Sequence, residues 1–367
     1  MNIAIIAPVI RKISNNNLYG GIERIILSLV IGIADAGHKV TLYAPFGTDL
    51  IHENLEICLT TSQDVTGMPD LIKKAENSLF KRIVAEQEQF DIIHTHIEPI
   101  VARLGDNNYF NNIKRPVVIT MHNQTHLPDN INYYKSHKEL HNLNFVFISN
   151  DQSNPLSFLP NKTVIYNGIN IEGLTFNATP NLGQLAFLGR ITPEKGIAQA
   201  IEIAKMANKK LIIGAAIDPT EQDYYDEEIK PQIDSKNIIY LGEVSNAVKN
   251  DMLRTSEALL FPTKWHEPFG LVLVEAMATG TPVIASAIGS VPEIVQDGKT
   301  GFVISDLDNS DSYVQKIDII NTIDRKYCRQ VVEKKFAESV MVANYLKYYN
   351  SLLNNDYGKS DMQANIG

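Results

Sequence analysis

The chain has 367 residues, 44% of them hydrophobic and 20% charged, with a formal net charge of −9, a composition that suits a large soluble enzyme of two globular domains and excludes a disordered or low-complexity protein. Residues 1–170 hold 14 Lys+Arg against 16 Asp+Glu, so most of the negative charge falls in the second half and neither half is basic enough to suggest nucleic acid. Cys58 and Cys328 lie too far apart for a disulfide framework or metal spacing, no stretch approaches the roughly 20 apolar residues that span a bilayer, and the start MNIAIIAPVIRKIS has no charged leader or cleavage site, which together predict a reducing, cytoplasmic home.

Short β-branched runs alternate with helical stretches from the start, the pattern of parallel sheets with crossover helices. The first half places strands at IAIIAPV, KVTLYAP, DIIHTHI, PVVITMH, NFVFIS and TVIYNG, and helices at GIERIILSLVIGIADAG and PDLIKKAENSLFKRIVAEQEQ. Tyr19-Gly20-Gly21-Ile22-Glu23-Arg24 follows the first strand and opens a helix. Two glycines let the backbone approach a ligand closely, and the helix terminus behind them adds positive potential. A polar insertion, RKISNNNL, precedes them. Lys73-Lys74 and Lys81-Arg82 give the next helix a basic face, open to peripheral membrane contact or simply to solvent. His94 and His96, two apart on one strand face, read as a packing or cleft-lining pair rather than a metal pair, because no third ligand follows at suitable spacing. His122 ends the strand PVVITMH, and Asn167-Gly168 closes the last strand of this half.

After Gly168 the stretch NIEGLTFNATPNLG reads as a linker to a second series: QLAFLGR, helix GIAQAIEIAKMA, KLIIGAA, NIIYLGE, ALLFPT, a helix from Gly270, and PVIASA. Ligands of such sheets bind beyond the carboxyl ends of the strands, so two facing domains would enclose a central cleft. Gly189-Arg190 ends one strand and Glu194-Lys195-Gly196 precedes the next helix, which puts two cations at that edge. An arginine can fork onto two phosphate oxygens while a lysine acts as a point charge. The loop Gly242-Glu243-Val244 follows the strand NIIYLG. Next comes EPFGLVLVE, with Glu267 on the loop and Glu275 in the second turn of the helix. The N–H groups of Phe269, Gly270 and Leu271 would point out of that helix terminus, where the dipole favours a phosphate with a carboxylate on either side.

The string EPFGLVLVEAMATGTPVIASAIGSVPEIVQDGKTGFVI closely resembles the signature of the family 4 glycosyltransferases, retaining enzymes of the GT-B fold. The resemblance implies an α/β chain of two doubly wound Rossmann-like domains: an N-terminal acceptor domain over 1–170, a C-terminal donor domain over 171–336, a final helix over about 337–353 returning to the first domain, and a mobile tail over 354–367. It implies transfer of a hexose from a nucleotide diphosphate sugar, UDP- or GDP-linked, to a saccharide, lipid or small-molecule hydroxyl, with retained anomeric configuration and without a metal or other cofactor. By the same resemblance Glu267 contacts donor-sugar hydroxyls, His122 lies against that sugar, and Arg190 with Lys195 holds the leaving diphosphate. Glu275 takes the ribose, while Gly189, Phe269, Gly270 and Leu271 fall within the donor motifs. Gly242 and Val244 meet the base, and Gly20 with Gly21 touches the donor phosphates. Met121-His122-Asn123 stands where the family has Thr-His-Gly, and Asn170 replaces an acid after Asn167-Gly168. YGGIER, PEKG, the acidic loop AAIDPTEQDYYDEEIKPQI and KWHEPFG are together similar to a bacterial subgroup of the avilamycin-pathway type. A GT-B nucleotide-sugar epimerase and a non-catalytic nucleotide-sugar-binding protein are the rival readings.

Overall fold

A computed structural model describes residues 1–14, 20–102 and 109–364, with side chains through Asn354 apart from those of 101 and 102. Tyr19 and the second half of the polar insertion before it lie outside the described residues. The chain divides into two compact units, Met1–Gly168 with Glu338–Gly367, and Ile169–Ala337.

The first unit is built on a seven-stranded sheet: β1 (Asn2–Ile6), β2 (Lys39–Ala44), β3 (Leu55–Leu59), β4 (Ile92–Thr95), β5 (Val117–Thr120), β6 (Asn144–Phe147) and β7 (Lys162–Val164). The order is β3-β2-β1-β4-β5-β6-β7 and every pairing is parallel. Ile3, Ala4, Ile5 and Ile6 are all fully buried. An inner strand covered by helices on both faces has no polar side to show, which is why it reads as a continuous apolar run. The helix Gly21–Asp35 buries Ile25, Ile26, Leu29, Val30 and Ile33, one apolar stripe at helical spacing. Each such side chain contributes about 1.5–3 kcal/mol as an upper figure. β3 is absent from the sequence reading; of LEICL only Cys58 is buried, so this edge strand carries little periodic signal.

The second unit holds a six-stranded parallel sheet: β8 (Gln184–Ile191), β9 (Lys210–Ile217), β10 (Ile238–Tyr240), β11 (Ala258–Phe261), β12 (Val283–Ser286) and β13 (Gly301–Ile304). Its order, β10-β9-β8-β11-β12-β13, has the same sense of winding as the first. In both sheets the strand order reverses once, at β1/β4 and at β8/β11, and such a switch point is where an open parallel sheet receives its ligand.

The stretch from Val331 to Leu353 falls in two helices. Arg325–Lys335 belongs to the second unit and Glu338–Ala364 to the first. The break falls where Phe336, fully buried, meets Phe269 edge to face at 5.9 Å, and where Ala337 bridges Ile169. The last helix runs past Asn354 to Ala364. Its Val342 packs on Gly32 so closely that a Cβ there would sit 2.5 Å from a Val342 methyl. Its Tyr345 and Tyr349 hydroxyls reach Thr120 Oγ1 at 2.8 Å and His94 Nδ1 at 2.6 Å. Among the described residues no helix is long and apolar enough to cross a membrane.

Candidate active site

The second unit gathers most of the expected residues on the carboxyl edge of its sheet. Gly189 and Arg190 end β8, and Pro193–Lys195 forms a single 3-10 turn capped by Gly196 in the left-handed region at φ 76°. A Cβ on Gly196 would overlap the Pro262 carbonyl oxygen, so only glycine lets this turn dock against the end of β11. Docking is completed by Lys264 N and Thr263 Oγ1, which donate to the Glu194 carbonyl at 2.8 and 3.1 Å. The result is that Lys195 Nζ lies 2.5 Å from Glu267 Oε2 with both side chains largely covered, and 5.9 Å from the centre of the Trp265 ring. Two groups 72 positions apart are brought into one charge-assisted hydrogen bond by a glycine contact.

Glu267 is steadied from behind. Ser290 N donates to the Glu267 carbonyl at 3.0 Å and Ser290 Oγ to the Phe269 carbonyl at 2.7 Å, and Gly289 passes so close that a side chain would meet the Glu267 backbone. Phe269 is buried, and Gly270, at φ 78°, caps the helix Leu271–Ala278 without any side-chain cap or acid in the first turn. The first amides of a helix have no intrahelical acceptor, so the terminus presents uncompensated positive potential beside the Lys195–Glu267 pair.

Glu275 is 3% exposed within that helix and receives Lys249 Nζ at 2.6 Å. A buried carboxylate needs a partner, and Lys249, on the helix Asn246–Thr255 capped by Ser245, supplies it. Lys249 was missed in the sequence; an i, i+4 search cannot find a partner on another helix. Arg190 Nη1 lies 2.8 Å from Asp218 Oδ2. The Asp218 carboxyl is held below the usual range by Thr220, whose hydroxyl and amide both donate to it. Val244 packs on Gly214, where an added Cβ would stand 3.0 Å from a Val244 methyl, and Gly242 N-terminal to it adopts φ 72°.

The remaining candidates are in the first unit. Gly20 caps the helix Gly21–Asp35 at φ 121°, and a Cβ there would overlap Glu23 Oε2. The buried Glu23 carboxyl turns back onto its own amide, and burial pushes its pKa up against that hydrogen bond and the nearby Arg11 charge. The anion seat expected at Gly20 and Gly21 is therefore held by the protein's own acid, unlike the uncapped terminus at Gly270.

His122 follows β5 and joins His96: Nε2 and Nδ1 are 2.8 Å apart, with rings stacked at 5.1 Å. The buried Glu98 accepts the amides of His122 and Asn123 at 2.5 and 2.7 Å and the Asn123 side chain at 3.0 Å, which fixes the loop that carries His122. Burial lowers the pKa of His122 to about 3, so the ring is neutral near pH 7. His94 spends both ring nitrogens, on Thr120 at 2.7 Å and Tyr349 at 2.6 Å. His94 therefore has no ring nitrogen left to offer, while His96 Nε2 is buried without a hydrogen-bond partner among the described residues.

Two family models match the chain, Glycosyltransferase Family 4 over residues 19–172 and Glycosyl transferases group 1 over residues 176–336. An uncharacterized 41.2 kDa protein in the cps region of Klebsiella pneumoniae is 31% identical over 172 residues, 46% of either chain. The chain thus spans about half the length of the curated relatives it matches first. The fold is similar to that of sucrose-phosphate synthase from Thermosynechococcus elongatus, with a TM-score of 0.76 at 18% identity over 96% of this chain and 99% of that one. It is also similar to Anabaena HepE in complex with UDP and glucose, with a TM-score of 0.71 at 18% identity over 96% of this chain and 100% of that one.

Proposed function

Since the chain belongs to the GT-B glycosyltransferases of the family 4 type, we propose that it transfers a hexose from a nucleotide diphosphate sugar to a hydroxyl acceptor, with retention at the anomeric carbon and without a metal. The observation that carries this reading is the pairing of Lys195 with Glu267 beside an uncapped helix terminus. A diphosphate can take the lysine and the helix amides, while a sugar hydroxyl takes the released carboxylate. UDP is placed first among donors because the similar Anabaena HepE is known in complex with it.

Glu267 carries a cation at 2.5 Å, which suits a hydroxyl-binding acid better than a nucleophile. Retaining hydrolysis through a covalent intermediate needs a nucleophile and an acid about 5 Å apart, and we assign no such pair. The step proposed is departure and attack on one face. The bond between the anomeric carbon and the diphosphate oxygen breaks, the acceptor oxygen bonds to that carbon, and the acceptor proton passes to the leaving oxygen. Lys195, Arg190 and the Leu271–Ala278 terminus stabilise the charge that develops there, the largest single kind of catalytic contribution. Glu275 is assigned to the ribose and the Gly242–Val244 loop to the base. Neutral His122 is assigned to the sugar as a hydrogen-bonding group that carries no charge at pH 7.

The test is a thermal-shift panel of UDP, GDP and ADP and their hexose conjugates, run with EDTA, followed by NMR of the product anomer. One nucleotide class should raise Tm by a few degrees, as about 2.7 kcal/mol of ligand linkage does at a hundred times Kd, and the product should keep the donor's configuration. Inversion, or activity abolished by EDTA, would remove the mechanism.

A further inference from the structure

Arg190 has a partner that none of the assigned roles uses. In the pairing of β8 with β9, Arg190 stands opposite Ala216 and Ile191 opposite Ile217. Alternation along a strand puts Ala216 and Asp218 on the same face as Arg190, and Asp218 keeps the extended backbone of the strand it follows, at φ −69° and ψ 126°. The acid therefore arrives beside the arginine just past the carboxyl end of the sheet, with Oδ2 2.8 Å from Nη1. Its other oxygen is taken. Thr220 N and Oγ1 donate to Oδ1 at 3.1 and 2.8 Å, which makes Asp218 the cap of the 3-10 turn Pro219–Glu221.

The bond to Arg190 does little for the fold. The Arg190 side chain is 45% exposed and that of Asp218 18%, and an ion pair so open to water is screened and adds little stability. What it does is choose which edge of the guanidinium stays open. Nη1 is occupied by Asp218, while Nε and Nη2 have no partner among the described residues. Those two N–H groups run parallel and form the side of the fork that takes two oxygens of one phosphate. A long side chain half in water would otherwise sample several rotamers, and ordering it on binding costs affinity.

We propose that Asp218 is a positioning residue of the donor edge: it anchors Arg190 by Nη1 and so pre-orients the Nε–Nη2 edge for the terminal phosphate of a nucleoside diphosphate. This role rests on the donor reading given above. A carboxylate is required, because the two tasks need two acceptor oxygens. Asparagine would keep one oxygen for the Thr220 donors and turn its NH₂ toward a guanidinium that also only donates. Asp218→Asn therefore releases the arginine while leaving the turn capped.

The experiment uses Trp265, the only tryptophan of the chain, whose ring centre is 5.9 Å from Lys195 Nζ at the same edge. Its fluorescence is titrated with UDP, GDP and ADP and with the matching monophosphates, for the full chain as wild type, Asp218→Asn, Arg190→Ala and the double variant. The wild type should hold one diphosphate more tightly than its monophosphate. Asp218→Asn should cut that preference about tenfold, with the monophosphate Kd and Tm nearly unchanged. Arg190→Ala should cut it at least as far, and the double variant no further, because the acid acts through the arginine. An unchanged preference, an equal loss for monophosphate and diphosphate, or additive losses in the double variant would each overturn the proposal. So would a stronger preference, which would mean that Asp218 competes with the phosphate instead of presenting the arginine to it. If no diphosphate binds the wild type, by fluorescence or by thermal shift, the donor reading falls and this role with it. If one binds and only the Asp218→Asn result fails, the donor reading stands alone.

Discussion

Glu275 and Lys249 show how much a single residue's meaning depends on its partner. With Glu275 3% exposed and the Lys249 side chain 13% exposed, truncating one strands a charge in a poorly solvated place, at a cost of about 3–5 kcal/mol. Glu275→Ala is therefore expected to lower the denaturation midpoint and abolish the nucleotide shift together. The double variant Glu275→Ala with Lys249→Met should regain most of the stability and none of the nucleotide binding. Recovery of both would show that Glu275 is structural only. A second expectation concerns acid. Burial takes His94 and His122 to about 3 and His96 far below its usual range, so all three stay neutral when folded but charge when unfolded. Their contribution is present above the unfolded value near 6.5 and is lost as pH falls toward the folded values. Burial acts oppositely on Glu23, Glu98 and on Glu76, which reaches about 7. Their raised folded values make their contribution fall as pH rises through them, so that Glu76 offsets the histidines between about pH 4.5 and 6.5. Below that window carboxylates held low by their partners, such as Asp218 and Asp234, protonate as well and add to the loss of stability. Each histidine should by itself contribute a fall of roughly 1.4 kcal/mol per pH unit, read as Tm between pH 4.5 and 3. A flat profile there would contradict the buried histidine cluster. At this scale Glu267, Lys195 and Glu275 were legible because motif spacing marks them. Lys249, Asp218 and Glu98 were not, because a tertiary partner leaves no local periodic trace.

Among elements, the 3-10 turn Pro193–Lys195 is the one whose position decides chemistry. Gly196 and Gly298 both sit in the left-handed region, at φ 76° and 69°, but a Cβ at Gly196 overlaps the Pro262 carbonyl whereas one at Gly298 meets nothing within 4 Å. Alanine at Gly298 should cost only the conformational penalty, about 1 kcal/mol. Alanine at Gly196 should cost more and push Lys195 from Glu267, lowering kcat at least about tenfold, for a transition-state loss above 1.4 kcal/mol. Equal effects of the two substitutions would show that the contact with Pro262 does not position the lysine. The parallel strands and main helices were readable from their apolar runs and stripes. β3 and β13 escaped because an edge strand with one buried residue and a four-residue GFVI run that opens on a glycine carry little period. The break at Phe336 and Ala337 is made by Phe269, 67 positions away in the chain, and not by proline or glycine at the site.

On the scale of the whole molecule, the chain carries −9 while its proposed donor is also an anion. Long-range attraction cannot gather such a ligand, and each cation of the donor edge is already matched: Arg190 with Asp218, Lys195 with Glu267, Lys249 with Glu275. Raising KCl from about 50 to 200 mM shortens the screening length from about 14 to about 7 Å. The donor KM is then expected to stay level or fall; a steep rise would mean that free cations capture the donor after all.

The Lys195–Glu267 bond makes occupancy of this edge a change of partners. A complete sugar nucleotide can satisfy both members at once, the phosphate answering the lysine and a hydroxyl the glutamate. A spent nucleotide diphosphate takes the lysine and leaves the glutamate with nothing to accept, so re-forming the internal bond helps to expel it. On the proposed donor role, the same 2.5 Å contact is expected to act as a return spring, weakening inhibition by the product diphosphate.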